Sequence, residues 1–234
     1  MTIAIRSLAL SIMKNYIYTT LSILMACALI QCQSASPDTQ SIVPESIKHN
    51  SETNLIDDIE PKTVAGMINA VIEIPSGTVA KWEVDKSNGS LEWEVVNGKN
   101  RVVDYLGYPG NYGMIPQTLL PKELGGDGDP LDILVLGPPS ERGTTTPCKV
   151  IGVLHLQDRG EQDDKLIGVA ANSTMFHIDN IEQLDQEYNG ISDIIQLWFT
   201  NYKGPGKMES SGYGNANVAA SILDKAVDAY ESMH

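Results

Sequence analysis

The chain has 234 residues, a formal net charge of −14 and a hydrophobic fraction of 42%. That length admits one ordinary domain with a real core. The acidic composition carries no basic stripe, which argues against nucleic-acid binding. An anionic ligand remains possible if metal ions and a few placed Lys or Arg residues supply the attraction.

Arg6 and Lys14 precede an apolar segment at residues 16–30, and polar sequence begins at Gln31. The segment is short for a membrane span and fits a secretory signal over residues 1–32. Cys27 and Cys32 each sit in a context similar to a bacterial lipoprotein cleavage box. Cys32, at the apolar-to-polar boundary, is preferred over Cys27 as the lipidated residue. The expectation is an exported protein, periplasmic or anchored in a membrane, with a cytoplasmic location as the alternative if the signal is not used. Residues 33–63 are rich in Ser, Thr, Asn, Asp and Pro and read as a flexible tether. The compact domain is expected over residues 64–234.

Val71 to Ile74 reads as a strand ended by Pro75. Residues 80–86 alternate, with Trp82 and Val84 on one face and Lys81, Glu83 and Asp85 on the other. Asn88-Gly89 is a hairpin signal, Leu91, Trp93 and Val95 alternate on the return, and Asn97-Gly98 marks another turn. Glu73, Lys81, Glu83 and Asp85 read as a charged, solvent-facing set. Tyr108-Pro109-Gly110-Asn111-Tyr112-Gly113 reads as a rigid turn with core or rim aromatics.

Asp127, Asp129 and Asp132 follow, immediately before the apolar run 133–136. Clustered carboxylates beside a core repel one another, and a hard cation with oxygen ligands relieves this. An EF-hand is excluded, because counting from Asp127 puts Asp132 at position six and Pro138 at position twelve. Further strands are expected over 149–156 and 165–170, separated by an acidic loop holding Asp158, Asp163 and Asp164, with Lys165 opening the second. Cys148 reads as an inert core or strand residue.

The end of the chain has helical periodicity. Ile191, Ile194, Ile195, Trp198 and Phe199 form one stripe, followed by Asn201-Tyr202-Lys203-Gly204. Ala219, Ile222, Leu223, Ala226, Val227 and Tyr230 form another. Both stripes are expected to pack into the core. The fold class is α+β, an antiparallel barrel or sandwich with C-terminal helices packed against it.

These blocks, in this order, resemble the family I soluble inorganic pyrophosphatases from about Val71 to Lys203. Asp127-Gly128-Asp129-Pro130-Leu131-Asp132 is similar to the family signature D-x-D-P-x-D. Ile72-Glu73-Ile74-Pro75, Lys81-Trp82-Glu83, Tyr108 to Gly113, Asp158 with Asp163 and Lys165, and Tyr202-Lys203 each match a family block. The resemblance implies a five-stranded OB-like barrel, several Mg²⁺ ions per site and, in bacteria, often a hexamer. It implies metal ligands at Asp127, Asp132, Asp158 and Asp163, with Glu73 direct or through water. Asp129 is the implied proton acceptor near the nucleophilic water. Lys81, Arg101, Tyr112, Lys165, Tyr202 and Lys203 are the implied phosphate contacts, with Tyr108 close by and Glu83 orienting Lys81. Two stretches depart from the common pattern. The segment around Glu94–Asn100 is longer, so Arg101 is placed by its order before Tyr108, and Gly204-Pro205-Gly206-Lys207 leaves Lys207 without a role.

The expected activity is hydrolysis of pyrophosphate to two phosphates. Metal ions neutralise the substrate's charge and lower the pKa of bound water. An oxygen donor set with few histidines favours Mg²⁺ over Zn²⁺. Short polyphosphate is the alternative substrate, and a silent, tethered cation- or phosphate-binding module is the alternative function. Asp129 argues against the latter, since pure binding needs no proton acceptor.

Overall fold

A computed structural model describes residues 47–119 and 128–233. Asp127, Cys27, Cys32, the expected signal and the first part of the expected tether lie outside the described residues. The strands, in chain order, are β1 (Ile47–Lys48), β2 (Ile68–Ile74), β3 (Trp82–Val84), β4 (Leu91–Trp93), β5 (Val95–Val96), β6 (Lys99–Asn100), β7 (Asn111–Met114), β8 (Asp132–Leu136), β9 (Thr144–Asp158), β10 (Glu161–Gln162), β11 (Lys165–Ala170) and β12 (Met208–Asn215). The helices are α1 (Ile181–Glu187), α2 (Ile191–Asn201) and α3 (Ala216–Glu231).

Five strands pair in a ring, in the order β2, β7, β8, β11, β9 and back to β2. The 15-residue β9 makes this possible, because Thr145 to Cys148 pair with β2 while Cys148 to Leu154 pair with β11. The ring matches the expected OB-like fold with one correction, since β8 and β11 run parallel, with Leu166 opposite Ile133. The chain reaches this arrangement through the long β9 rather than through a helix.

Two apolar layers flank the ring. Leu134, Leu136, Leu154, Ile167, Trp198 and Phe199 share one cluster with α1 and α2. Ile133, Val135, Val153, Leu166 and Leu223 share the other with α3. Coverage on both faces explains why residues 133–136 form an unbroken apolar run rather than alternating. Cys148 is fully buried, which pushes its thiol pKa up to about 12 and leaves it inert, as expected.

The expected boundary at residue 63 moves. β1 pairs with Thr144 and Thr145, and Leu55, Ile56 and Ile59 are buried against Val71, Val84 and Met114. The polar composition of this segment concealed three apolar anchors. Its main chain is also tied down, by Leu55 N–H to Gly89 O at 2.9 Å and Gln117 N–H to Ile56 O at 3.0 Å. Ile194 is a second correction. It is 60% exposed beside Leu197, because α2 turns Ser192, Ile195, Trp198 and Phe199 inward.

Candidate active site

One cavity of about 300 Å³ is lined by Glu73, Lys81, Glu83, Arg101, Tyr112, Asp129, Asp132, Asp158, Asp163, Lys165, Tyr202 and Lys203. Every expected site residue within the described segments lines it except Tyr108, which is buried directly behind. The elements that deliver these side chains are far apart in sequence, and each has a local reason for its aim.

Glu73 lies where the register between β2 and β7 shifts, between the Ile72–Gly113 and Ile74–Tyr112 pairs. An extra residue at such a bulge re-aims its side chain. Glu73 thus turns toward β3, where its Oε1 accepts from the Val84 N–H at 2.8 Å. Gly113 keeps β7 close to β2, since a Cβ there would meet Val71 O at 1.8 Å. Tyr112 is carried by a strand, not by the expected turn.

Glu73 and Lys81 are buried, at 5% and 8% exposure, and correct the reading of a solvent-facing set. Burial raises the Glu73 pKa to about 8, although Lys81 opposes the shift. Burial would lower the Lys81 pKa, but Glu73 and Glu83 outweigh it and hold the ammonium charged. Glu83 contacts Lys81 Nζ at 2.5 Å.

The hairpin from β9 to β10 turns through Arg159 and Gly160, with φ of 53° and 90°. Both φ values are positive, as in a type I′ turn. Asp158 closes β9, Asp163 follows β10, and Lys165 opens β11. Lys165 Nζ reaches Asp163 Oδ1 at 2.6 Å and also bonds Asp132 Oδ2. Burial opposes its charge, yet Asp132 and Asp163 hold its pKa well above the ordinary lysine value.

Tyr202 caps α2 and stacks on Trp198, with centroids 4.6 Å apart. Trp198 also packs on Tyr108 at 4.4 Å. Burial first, and the Asp132 charge among lesser causes, hold the Tyr108 and Tyr112 hydroxyls protonated. Lys203 Nζ donates to Asp158 Oδ2 at 2.7 Å, and this bond holds the Asp158 pKa down. Arg101 lines the cavity as expected. The longer stretch before it forms the β5–β6 hairpin, and Glu94 grips its guanidinium at 2.8 and 3.0 Å.

The donor set suits a hard cation. The cavity's metal-capable groups are carboxylates, with no histidine among the described lining residues. Asp158 Oδ1 is buried without a hydrogen-bond partner among the described residues, an orphaned acceptor of the kind a cation satisfies. Among the described residues, no three acidic, His or Cys side chains close on one point. Lys165 stands between Asp132 and Asp163, and Lys203 lies on Asp158.

Sequence reasoning missed Lys86 and Arg142. Lys86 pairs with Asp129 at the cavity rim, and its place at the end of the alternating stretch 80–86 was its only signal. Arg142 donates from Nε to Glu73 O at 2.9 Å and lies 4.8 Å over the Trp82 ring, bracing β2 and β3 from behind. Nothing local in the sequence announced that contact. Lys207 is absent from the cavity lining, and its carbonyl accepts from the Arg159 N–H at 2.9 Å.

A family model described as inorganic pyrophosphatase matches residues 70–231. The chain belongs to the inorganic pyrophosphatase family. That family comprises hydrolases of diphosphate. A Campylobacter jejuni inorganic pyrophosphatase is 35% identical over 172 residues, covering 72% of this chain and 94% of the relative. One from Xylella fastidiosa is 34% identical over 169 residues, covering 70% and 89%. The crystal structure of the Thermus thermophilus inorganic pyrophosphatase matches with a TM-score of 0.64 and 29% identity, covering 76% of this chain and 99% of that one. The Helicobacter pylori inorganic pyrophosphatase matches with a TM-score of 0.62 and 31% identity, covering 74% and 98%.

Proposed function

We propose that this chain hydrolyses pyrophosphate to two phosphates with Mg²⁺, by direct attack of water and without a covalent enzyme intermediate. The observation that carries the reading is one cavity bringing together acidic, cationic and phenolic groups from β2, β3, β7, β8, β9, β11 and the end of α2. Asp132, Asp158 and Asp163 would hold metal, joined by Asp127 from outside the described residues, with Glu73 direct or through water. Bound Mg²⁺ supplies charge neutralisation and a more acidic water.

The chain's own groups divide the remaining work. Lys81, Arg101, Lys165 and Lys203 hold the phosphate oxygens, and the Tyr112 and Tyr202 hydroxyls donate to them. Asp129 takes the proton from the attacking water as its oxygen bonds to phosphorus. The bond to the bridging oxygen then breaks, and the cationic and phenolic donors stabilise the charge that develops on the departing phosphate. Glu83 fixes Lys81, while the Tyr108–Trp198–Tyr202 stack fixes the Tyr202 ring.

Phosphate release from Mg-pyrophosphate by the full chain tests this. Absence of turnover with metal present refutes the activity, and a full rate in Asp129→Ala refutes the assigned base. The reading places the enzyme outside the cytoplasm, on the strength of residues 6–32 and their cysteines. Palmitate labelling of wild type, lost in Cys32→Ser, is the expected result.

A further inference from the structure

The hairpin that presents Asp158, Asp163 and Lys165 has a second face. Gln157 pairs with Gln162, and Leu154 pairs with Lys165. In this register Leu156 lies opposite Asp163 and His155 opposite Asp164. Side chains alternate across a strand, so Asp163 and Lys165 face the cavity while Gln162 and Asp164 face away.

The ladder is interrupted at this point. The Asp163 N–H donates to Leu156 O at 2.9 Å, but the Leu156 N–H bonds to the side chain of Asp164, Oδ1, at 3.0 Å. The Asp164 carboxylate replaces a main-chain acceptor, and neither Asp163 nor Asp164 belongs to a strand. The other oxygen, Oδ2, is held by His155 Nδ1 at 2.8 Å and Gln162 Nε2 at 2.9 Å. The Asp164 side chain is only 8% exposed, so its orientation is defined by these bonds. The Asp163 N–H stays on Leu156 O while its carbonyl loses the Leu156 N–H to Asp164, and its carboxylate lines the cavity 2.6 Å from Lys165 Nζ.

We propose that Asp164, clamped by His155 and Gln162, is a positioning residue that sets the aim of Asp163 toward its metal ion. The proposal rests on the assignment of Asp163 as a metal ligand. Groups that orient a ligand from behind typically carry about a tenfold effect on metal affinity.

The test measures Mn²⁺ binding to the full chain by the electron paramagnetic resonance signal of free Mn²⁺, beside Mg-pyrophosphate kinetics and thermal melting. Asp164→Ala is expected to weaken Mn²⁺ binding about tenfold. Asp164→Asn is expected to lose less, because its carbonyl can still accept from the Leu156 N–H. His155→Gln and Gln162→Ala remove one clamp each and are expected to fall between Asp164→Asn and wild type. Ile59→Ala, buried away from this hairpin, is expected to lower Tm yet keep wild-type Mn²⁺ affinity. Wild-type Mn²⁺ affinity in Asp164→Ala overturns the proposal, as does an equal loss of affinity in Ile59→Ala. Should Asp164→Ala fail to fold, wild-type affinity in both clamp variants overturns it. A wild-type chain that binds no Mn²⁺ overturns the metal assignment beneath it, a result distinct from the others.

Discussion

Glu73→Gln isolates the cost of burying an acid under the active site. Glu73 is 5% exposed, and burial raises its pKa from 4.5 to about 8. Below pH 4.5 the carboxyl is protonated in both folded and unfolded chains. Between 4.5 and 8 the unfolded chain releases the proton while the folded chain retains it. The unfolded state then binds fewer protons, so this group lowers stability as pH rises through that window. Above 8 both states are ionised and the full penalty applies. At 1.36 kcal/mol per unit the net shift, which already includes the opposing Lys81 charge, corresponds to at most about 4 to 5 kcal/mol. Gln keeps an oxygen for the Val84 N–H and removes the titration. The assay is urea unfolding in chelator at pH 5, 7 and 9, for wild type and variant. The difference in pH slope carries the information, because changes in packing from the substitution itself shift the whole profile without changing its slope. Wild type is expected to lose stability relative to Glu73→Gln from pH 5 to 9. Parallel pH profiles refute the raised pKa.

Lys165→Met leaves Asp132 and Asp163 facing each other without their shared cation, and is expected to lower metal-free stability by about 3 kcal/mol in urea unfolding. Mg²⁺ is expected to restore more stability to this variant than to wild type. Leu55→Ala, at a residue 5% exposed in the segment first read as a tether, is expected to cost about 2 to 5 kcal/mol by the same measurement, whereas a true tether costs nothing. Lys86→Ala breaks a rim ion pair whose side chains are 58% and 33% exposed. Such pairs contribute up to about 1 kcal/mol, so kcat is expected to change by no more than about fivefold in steady-state assays. Asp129→Asn is expected to retain wild-type Tm within a few degrees while losing at least about a hundredfold in kcat, the scale of a lost general base.

The order of the blocks carried most of the chemistry. The convergence of Asp132, Asp158, Asp163, Lys165 and the Tyr202-Lys203 pair on one cavity was legible because the order of their blocks matches a family pattern, and the alternation of residues 80–86 and the periodicity of α3 were legible because each is set within one element. Contacts between elements were not. The charges at Glu73 and Lys81 follow the pattern of a wet strand face, and only the packing of β2 on β3 and the bulge at Glu73 turned that pattern inward. Leu55, Ile56 and Ile59 sit in a composition typical of linkers, so their burial depended on a cleft formed by residues 71, 84 and 114. Ile194 shows the reverse case, a helical stripe wider than the surface available to cover it. The parallel pairing of β8 with β11 depended on the length and course of β9, which no local period records. Sequence alone determined which groups this protein has for phosphate chemistry, because residue type is local. The tertiary structure alone decided which of them are desolvated and which face one another, because burial and distance belong to the assembled chain.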